Sequence, residues 1–231
     1  MYHSLIISGK NTFEEWGMVP TSRPVVNPPK VKTTYVDLPA SHGVLDYTSL
    51  LLAEVPYGQR EGSWEFALRP GVRWASVYSS ILNYLHGERH TVILEDDPSY
   101  QYVGRLSVNA WKSDPSYSVI TIDYNLDPFK YKTQASDDTE WLWDELFVDV
   151  IKYGRFSVDG TKYRTFINEG SKVAIPTVTC SAPMSVECNG SVFHLMQGKN
   201  YNANLSLNPG DTLMVFHGNG EVTVSYREVS L

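Results

Sequence analysis

The sequence predicts a mainly β protein of two domains with one amphipathic helix, and three patterns support this. Before residue 130 most apolar residues alternate with polar ones, which places each set on one face of a strand. After residue 150 two-residue turn signals become frequent. Only in residues 74–85 do the apolar residues recur with the spacing of a helix. A chain of 231 residues is long enough for one or two domains, and two is the more natural count if a seam divides it.

The alternation in the first half occupies three runs, at residues 64–68, 102–110 and 120–126. Turn residues separate neighbouring runs at EDDPS (95–99) and SDPS (113–116). Proline fixes φ there, and Asp or Ser can bond back to the backbone. We therefore expect residues 89–127 to form an antiparallel three-stranded meander.

The helical pattern lies between the first two of these runs. Apolar residues fall at i, i+3, i+4, i+7, i+8 and i+11, namely Trp74, Val77, Tyr78, Ile81, Leu82 and Leu85. Gly87 follows, at the position that a left-handed C-cap requires. This predicts one amphipathic helix packed on a sheet. The proline-rich stretch TSRPVVNPPKVK (21–32) is predicted to be an extended connection or arm, because proline lacks the donor that a central strand needs.

The second half predicts a β-sandwich of about 90 residues, built from short strands and turns. Asp159-Gly160 is predicted as a hairpin turn that sets Val158 opposite Thr161. Asn189-Gly190 is predicted as another, which sets Cys188 opposite Ser191. The sequences NPGD (208–211) and GNGE (218–221) are expected to separate three further strands. Residues 139–154 fit both periods, and we expect a short helix or turn that runs into a strand.

Composition excludes several classes of function. The formal net charge of -7 argues against binding to a phosphate backbone, since that affinity comes from Lys and Arg. No apolar run is long enough to span a bilayer, and no secretion signal is expected at the start. The two cysteines, Cys180 and Cys188, are too few for a disulfide framework or for a zinc site of their own. Cys188 is interpreted as a small core residue.

No catalytic, cofactor-binding or metal-ligating residues are predicted, and no cofactor. The six histidines, at positions 3, 42, 86, 90, 194 and 217, lack the spacing of a metal site. His194 is expected at the surface. The acidic run Glu95-Asp96-Asp97 is interpreted as a solvated turn, because a calcium loop spaces its ligands more widely. Trp64, Trp111, Trp141 and Trp143 are expected in a core or interface more often than against a sugar. An enzyme is not expected.

The whole chain resembles the distal tail proteins of siphophages, the long-tailed bacteriophages and prophages. The resemblance begins with SLIISGKNTFEEWGM (4–18) and continues with a strand followed by DPFKYK (127–132). It extends through Trp143-Asp144 and IPTVTCSAPMSVECNG (175–190). It ends with LNPGDTLMVFHGNGEVTVSYREVSL (207–231). The resemblance rests on the order and spacing of these motifs together and not on any one of them.

The resemblance implies an N-terminal tail-ring (belt) domain, residues 1–130, and a C-terminal galectin-like β-sandwich, residues 131–231. It implies a homohexameric ring that joins the tail tube to the tail-tip or tail-associated lysin protein and supports receptor-binding components. The bore would pass DNA without specific binding, and a surface with few cations suits that. It also implies a place at the distal end of the virion tail, assembly in the host cytoplasm, and no membrane partner.

Two points stay open in the sequence. The alternative function is a carbohydrate-binding module that recognises host cell-wall polysaccharide, although the polar residues of sugar-binding galectins do not align with 156–227. In the stretch IDYNLDPFKYKT (122–133), Pro128 is expected to end the last strand of the first domain. Phe129 and Tyr131 are interpreted as anchors of a hinge between the two domains.

Overall fold

The chain forms two compact units in the computed structural model, which describes residues 3–37, 42–48, 55–109, 112–113, 118–133 and 154–231. The N-terminal unit comprises Met1–Lys130 together with Leu231, and the C-terminal unit comprises Tyr131–Ser230. Both are built largely from strands, so the prediction of a mainly β protein is confirmed.

The N-terminal unit contains a curled antiparallel sheet and two helices. Its strands are β1 (Leu5–Ile7), β2 (Lys10–Asn11), β3 (Met18–Pro20), β4 (Tyr35–Asp37), β5 (Val44–Asp46), β6 (Arg60–Leu68), β7 (Arg89–Leu94), β8 (Asp97–Val108), β9 (Lys112–Ser113) and β10 (Ser118–Leu126). Its helices are α1 (Thr12–Trp16) and α2 (Trp74–Leu85). The main sheet has the order β2-β1-β7-β8-β10-β6-β3, and β9 pairs with β10. The predicted meander is confirmed as the neighbouring strands β7, β8 and β10.

The alternating residues form the core of this unit. Trp64 and Phe66 of β6 are buried, as are Leu106 of β8 and Ile122 of β10. Helix α2 has the predicted bounds and buries Val77, Ile81 and Leu85. Gly87 has a φ of 80°, in the left-handed region, directly after the C-cap. One face of each element is thus apolar because that face packs in the core.

Helix α1 was not predicted, although its capping residues are visible in the sequence. The Asn11 side chain accepts hydrogen bonds from the backbone N–H of Phe13 and Glu14. Gly17 ends the helix with a φ of 64°. Five residues are too few to show a helical period, so only the capping pattern could have revealed it.

The proline-rich stretch forms no named strand between residues 21 and 32, as expected. It runs beside β6, where Trp64 Nε1 donates to the Val25 carbonyl at 2.9 Å. The Asn27 N–H donates to the Tyr124 hydroxyl oxygen at 3.0 Å. Side chains of the sheet thus satisfy one backbone carbonyl and one backbone N–H of this stretch.

The C-terminal unit contains a second curled sheet. The strands of this sheet are β12 (Arg155–Asn168), β13 (Thr177–Cys180), β14 (Met184–Cys188), β15 (Ser191–Leu195), β16 (Gly198–Tyr201) and β17 (Gly210–Ser225). Strand β18 (Val229–Ser230) belongs to the same unit but not to this sheet, and β11 (Lys130–Lys132) joins the units in sequence. The sheet order is β15-β14-β17-β13-β16, with β12 paired along β17. Both halves of this sheet contribute to one hydrophobic core, which includes Val186, Phe216, Val178 and Val224.

The Asn189-Gly190 hairpin is confirmed with its register. Cys188 pairs with Ser191 and Val186 with Phe193. Asn189 and Gly190 have φ values of 50° and 74°, which a type I′ turn requires. Cys188 is buried and unpaired, and His194 is exposed, both as predicted.

The predicted Asp159-Gly160 turn is wrong. Strand β12 continues through both residues and pairs with β17 along its whole length, with Val158 opposite Gly220 and Thr161 opposite His217. The Gly160 N–H donates to the Asn219 side chain at 2.9 Å, so its donor is satisfied without a turn. A 14-residue ladder outweighs the local preference of one dipeptide for a turn.

The turn predicted at GNGE (218–221) is also wrong, because β17 continues through it. On the edge opposite β12, β17 pairs with β14 over residues 214–217 and with β13 over residues 222–225. The change of partner falls at Gly218 and Gly220, whose φ values are 147° and 144°. Glycine is needed there because a Cβ on Gly218 would lie 2.6 Å from Met184 Cβ. The predictions for residues 114–116 and 139–153 fall outside the described residues.

Candidate assembly surfaces

The N-terminal unit contains a two-stranded hairpin of β4 and β5, here named the arm, whose described residues are 33–37, 42–48 and 55. Strands β4 and β5 pair with Tyr35 opposite Asp46 and Val36 opposite Leu45. The base of the arm is closed where the Lys32 N–H donates to the Pro56 carbonyl at 2.9 Å and the Gly58 N–H to the Lys30 carbonyl at 2.7 Å. All six residues of the two strands are exposed.

The exposed residues of the arm are largely apolar. Tyr35 is 56% exposed, Val44 54%, Val36 44% and Leu45 42%. Two-stranded ribbons are marginally stable in water unless they pack on something else. Residues 33–55 also contain no Lys or Arg but include Asp37, Asp46 and Glu54. The arm is thus an acidic, apolar ribbon with the character of an interaction surface.

A concavity of about 670 Å³ lies beside the base of the arm and is lined in part by Lys30, Lys32 and Tyr57. Two carboxylates line it as well, Glu61 and Asp127. Each has a cationic partner: Lys30 Nζ lies 3.5 Å from Glu61, and Arg89 donates to Asp127 at 2.6 Å. Both carboxylates of this concavity are therefore engaged in ion pairs with neighbouring cations.

Residues 127–133 are held by specific contacts, each of which lies within one unit. In the N-terminal unit the buried Arg60 guanidinium donates to the Pro128 carbonyl at 2.8 Å, and Phe129 meets the Tyr57 ring edge-on at 6.0 Å. Burial lowers the pKa of Arg60. Lys130 Nζ lies 4.1 Å from the centre of the Tyr100 ring. The aromatic and basic residues here are therefore engaged in packing.

The C-terminal unit holds its first residues through a charged cluster. Lys132 Nζ lies 2.7 Å from the buried carboxylate of Glu228 and 3.1 Å from that of Glu169. Arg227 donates to the backbone carbonyls of Lys132 and Thr133. Burial opposes the charge on Lys132, but the hydrogen bonds to Glu228 and Glu169 outweigh it and raise the pKa of Lys132. This cluster fastens β11 to the end of the chain.

The acidic run Glu95-Asp96-Asp97 lies at the predicted turn, between β7 and β8, but the Glu95 and Asp96 carboxylates also bond to protein groups, which was not predicted. The Glu95 carboxylate accepts hydrogen bonds from the Ser4 N–H and hydroxyl at 2.7 and 2.9 Å. Asp96 lies 2.8 Å from His3 and 2.7 Å from Arg23. The hydrogen bond to His3 has the largest effect and lowers the pKa of Asp96; burial opposes it, and the hydrogen bond to Arg23 lowers the pKa further. The run thus ties the start of the chain to the β7–β8 turn.

The remaining candidate residues are scattered. His90 is buried and its Nδ1 lies 2.9 Å from the Ser8 hydroxyl, whereas His86 and His217 are exposed. Within the described ranges no group of three His, Cys, Asp or Glu side chains could hold a metal ion. Burial raises the pKa of both cysteine thiols, which disfavours the reactive thiolate. Trp64 is buried and stacks on Tyr124 at 4.2 Å, while Trp111, Trp141 and Trp143 lie outside the described residues.

No helix in the described part of the chain is long and apolar enough to cross a membrane. The described residues form two mainly β units, an amphipathic helix of three turns and an exposed two-stranded ribbon. No protein-family model and no curated protein matches the sequence.

Among solved structures, the chain is similar to the crystal structure of the SPP1 Dit (gp 19.1) protein. That protein is described as a paradigm of the hub adsorption apparatus in phages that infect Gram-positive hosts. The similarity covers 99% of both chains, with a TM-score of 0.62 and 13% sequence identity. The predicted resemblance to phage distal tail proteins is thus confirmed at the level of the fold.

Proposed function

We propose that this chain is a structural hub protein at the distal end of a phage tail. In this proposal, copies assemble into a hexameric ring that joins the tail tube to the tail-tip protein and supports receptor-binding components. The full-length similarity to a phage hub protein carries the proposal, because it extends over both units. The proposed place of the protein is the virion tail, after assembly in the host cytoplasm. No catalytic role is proposed.

The arm supports self-association. Its apolar side chains, such as Tyr35 and Val44, are exposed in the single chain, and burial of such surface is the main favourable term in association. Another copy of the chain would supply the cover that a two-stranded ribbon lacks on its own. Because the arm carries carboxylates and no cation, its acceptor surface on the other copy would be apolar and neutral or basic.

The net charge supports a role beside DNA without binding it. With 19 Lys and Arg against 26 Asp and Glu, the chain has a surplus of anions. Release of counterions by cations drives phosphate-backbone affinity, so an acidic ring would let DNA pass through its bore without adhesion.

The test is the oligomeric state of the full chain. Light scattering and negative-stain electron microscopy are expected to show rings whose mass is six times that of the 26.1 kDa chain. A double variant of the arm, Tyr35→Ser with Leu45→Ser, should yield monomers that keep the circular dichroism of the parent. A matched variant in the C-terminal unit, Val173→Ser with Ile175→Ser, replaces two residues of similar exposure and should still form rings.

A second experiment tests the hub role itself. Coexpression with the tail-tip protein is expected to yield a complex that copurifies with the rings. A chain that stays monomeric at every concentration, both alone and with the tail-tip protein, would overturn the proposal.

A further inference from the structure

The edges of the C-terminal sheet are protected unequally. Within the described residues, the strands that pair on one side only are β12, β15 and β16. A free edge can pair with a strand of another chain, and folded proteins usually block this with Lys, other charged residues or Pro. Strand β12 carries Lys162 and Arg164, and β16 carries Lys199. Strand β15, with the sequence SVFHL, contains no Lys, Arg, Asp, Glu or Pro, so its edge is open.

The two-residue turn before β15 fixes which backbone groups face this open edge. In such a hairpin the pair that flanks the turn exchanges hydrogen bonds, and bonded pairs then alternate along the ladder. Ser191, Phe193 and Leu195 therefore bond to β14, whereas the N–H and C=O groups of Val192 and His194 point away from it. Within the described residues β14 is the one strand that pairs with β15, so these four groups lack a ladder partner.

We propose that β15 pairs antiparallel with β15 of a second copy and joins the two C-terminal sheets into one continuous sheet. The contact is isologous, because each copy contributes the same five residues. A ladder of this length buries much less than the roughly 1,200 Å² of a stable interface. The contact is therefore weak between single chains and gains strength where several copies are held together. It uses the C-terminal unit alone and does not depend on ring formation.

One register engages all four free groups. The Met196 N–H donates to Asn200 Oδ1 at 2.8 Å, and the Met196 carbonyl accepts from Asn200 Nδ2 at 2.7 Å. The next outward-facing groups along the chain are thus already occupied, and Val192 pairs with His194 of the second copy. The twofold axis then passes beside Phe193, and the two strands exchange hydrogen bonds through all four groups of each copy.

The side chains of β15 suit this register. Phe193 is half-buried at the margin of the core, and its counterpart lies directly opposite, so each ring covers the other. On the outer face Val192, which is 59% exposed, contacts the exposed His194 of the second copy. A strongly charged partner strand finds no countercharge on this edge, which favours a second copy of the neutral β15 as the occupant.

Disulfide trapping of Phe193→Cys in the full chain tests the proposal. The twofold axis sets the two Cα atoms about 4.5 Å apart, inside the range of about 4.4–6.8 Å that disulfides span. With copper phenanthroline as oxidant, a disulfide-linked dimer is expected, and the two native cysteines are buried. Val192→Cys, about 8 Å from its counterpart in this register, should stay largely unlinked. Lys199→Cys on the edge strand β16 is the matched control for random collision.

A proline variant tests the hydrogen bonds themselves. Val192→Pro removes an outward N–H and leaves the β14–β15 ladder intact. Combined with Phe193→Cys, it should slow disulfide formation at least about tenfold, because each copy loses one of its donors to the shared ladder. Phe193→Cys should still crosslink when it is combined with Tyr35→Ser and Leu45→Ser in the arm. That result separates this contact from ring formation.

Three results would overturn the proposal. They are the absence of a linked dimer from Phe193→Cys at every protein concentration, equal linkage of Lys199→Cys, and unchanged linkage after Val192→Pro. Circular dichroism shows whether each variant is folded. The parent chain gives a check without any substitution, since hydrogen exchange of the Val192 and His194 amides should slow as the protein concentration rises. Exchange rates that do not depend on concentration would also contradict the proposal.

Discussion

The molecule contains two hairpins of similar local form and opposite environment. The β14–β15 hairpin buries Met184, Val186 and Leu195 in the core of the C-terminal unit. The β4–β5 hairpin of the arm buries none of its six paired residues. The first is stabilised by packing within the chain. The second exposes its apolar side chains, and in our proposal these are covered by another copy of the chain.

The largest expected difference between the hairpins is in their contribution to stability. Leu195→Ala in β15 should lower the free energy of unfolding by about 2–5 kcal/mol, because the side chain is 3% exposed and its loss leaves a cavity. Leu45→Ala in β5, at 42% exposure, should change it in the monomer by less than about 0.5 kcal/mol. Urea titrations of both variants at low protein concentration give the comparison. Equal losses would show that the arm packs on its own unit.

The second prediction concerns glycines in the two environments. Gly218→Ala should lower the free energy of unfolding by about 2 kcal/mol or more, because its Cβ would lie 2.6 Å from Met184 Cβ in the core hairpin. Gly43→Ala in the arm has a φ of 88° and no atom within 4 Å of its Cβ. It should cost about 1–2 kcal/mol, from backbone strain alone. Thermal unfolding of the two variants distinguishes a steric clash from strain.

The third prediction is an alkaline loss of stability in the C-terminal unit. Burial raises the pKa of Tyr226 from 10.0 to about 12, with Glu228 and Glu169 adding to the effect. A phenol with a higher pKa in the folded state stabilises the fold while it is neutral. That contribution is complete below pH 10.0 and is lost as pH rises towards 12. The raised pKa of Lys132 acts in the same direction.

Tyr226→Phe measures this effect. At neutral pH the variant should lose about 1 kcal/mol, because the Tyr226 hydroxyl no longer donates to the Ile167 carbonyl. Its melting temperature should then fall less steeply than the parent's above pH 10.0. Tyr35→Phe, which removes an exposed hydroxyl in the arm, should leave stability within about 0.5 kcal/mol of the parent. An unchanged alkaline slope in Tyr226→Phe would contradict the account.

The smallest expected effect is at Asn189, in the turn of the β14–β15 hairpin. Asn189 has a φ of 50°, and its side chain donates to the Ser206 carbonyl at 2.9 Å. Asn189→Ala should cost about 1 kcal/mol, since alanine tolerates this conformation less well and the hydrogen bond is lost. Asn189→Gly keeps the conformation without the hydrogen bond and should cost less. A larger loss in the glycine variant would show that the turn conformation is not the cause.

Burial on one face explains which strands could be predicted. Where β8 and β10 pack one face in the core of their unit, the period of two is visible and the predicted strands are confirmed. Helix α2 was predicted for the same reason. The arm gave no such signal, because its apolar residues face solvent on both sides in the single chain.

Long-range contacts explain the errors. Asp159-Gly160 has the local chemistry of a turn, but its partners Asn219 and Gly218 are about sixty residues away in sequence. The Glu95 and Asp96 carboxylates likewise bond to Ser4 and His3 across more than ninety positions. No local pattern encodes such pairings.

Hydrogen exchange of the arm amides tests most directly whether the arm is covered by another copy of the chain. The account predicts that β4 and β5 exchange rapidly in dilute, monomeric protein and are protected in the assembled form. Strand β14 should be equally protected in both. Arm amides that exchange as fast in the assembly as in the monomer would contradict the account.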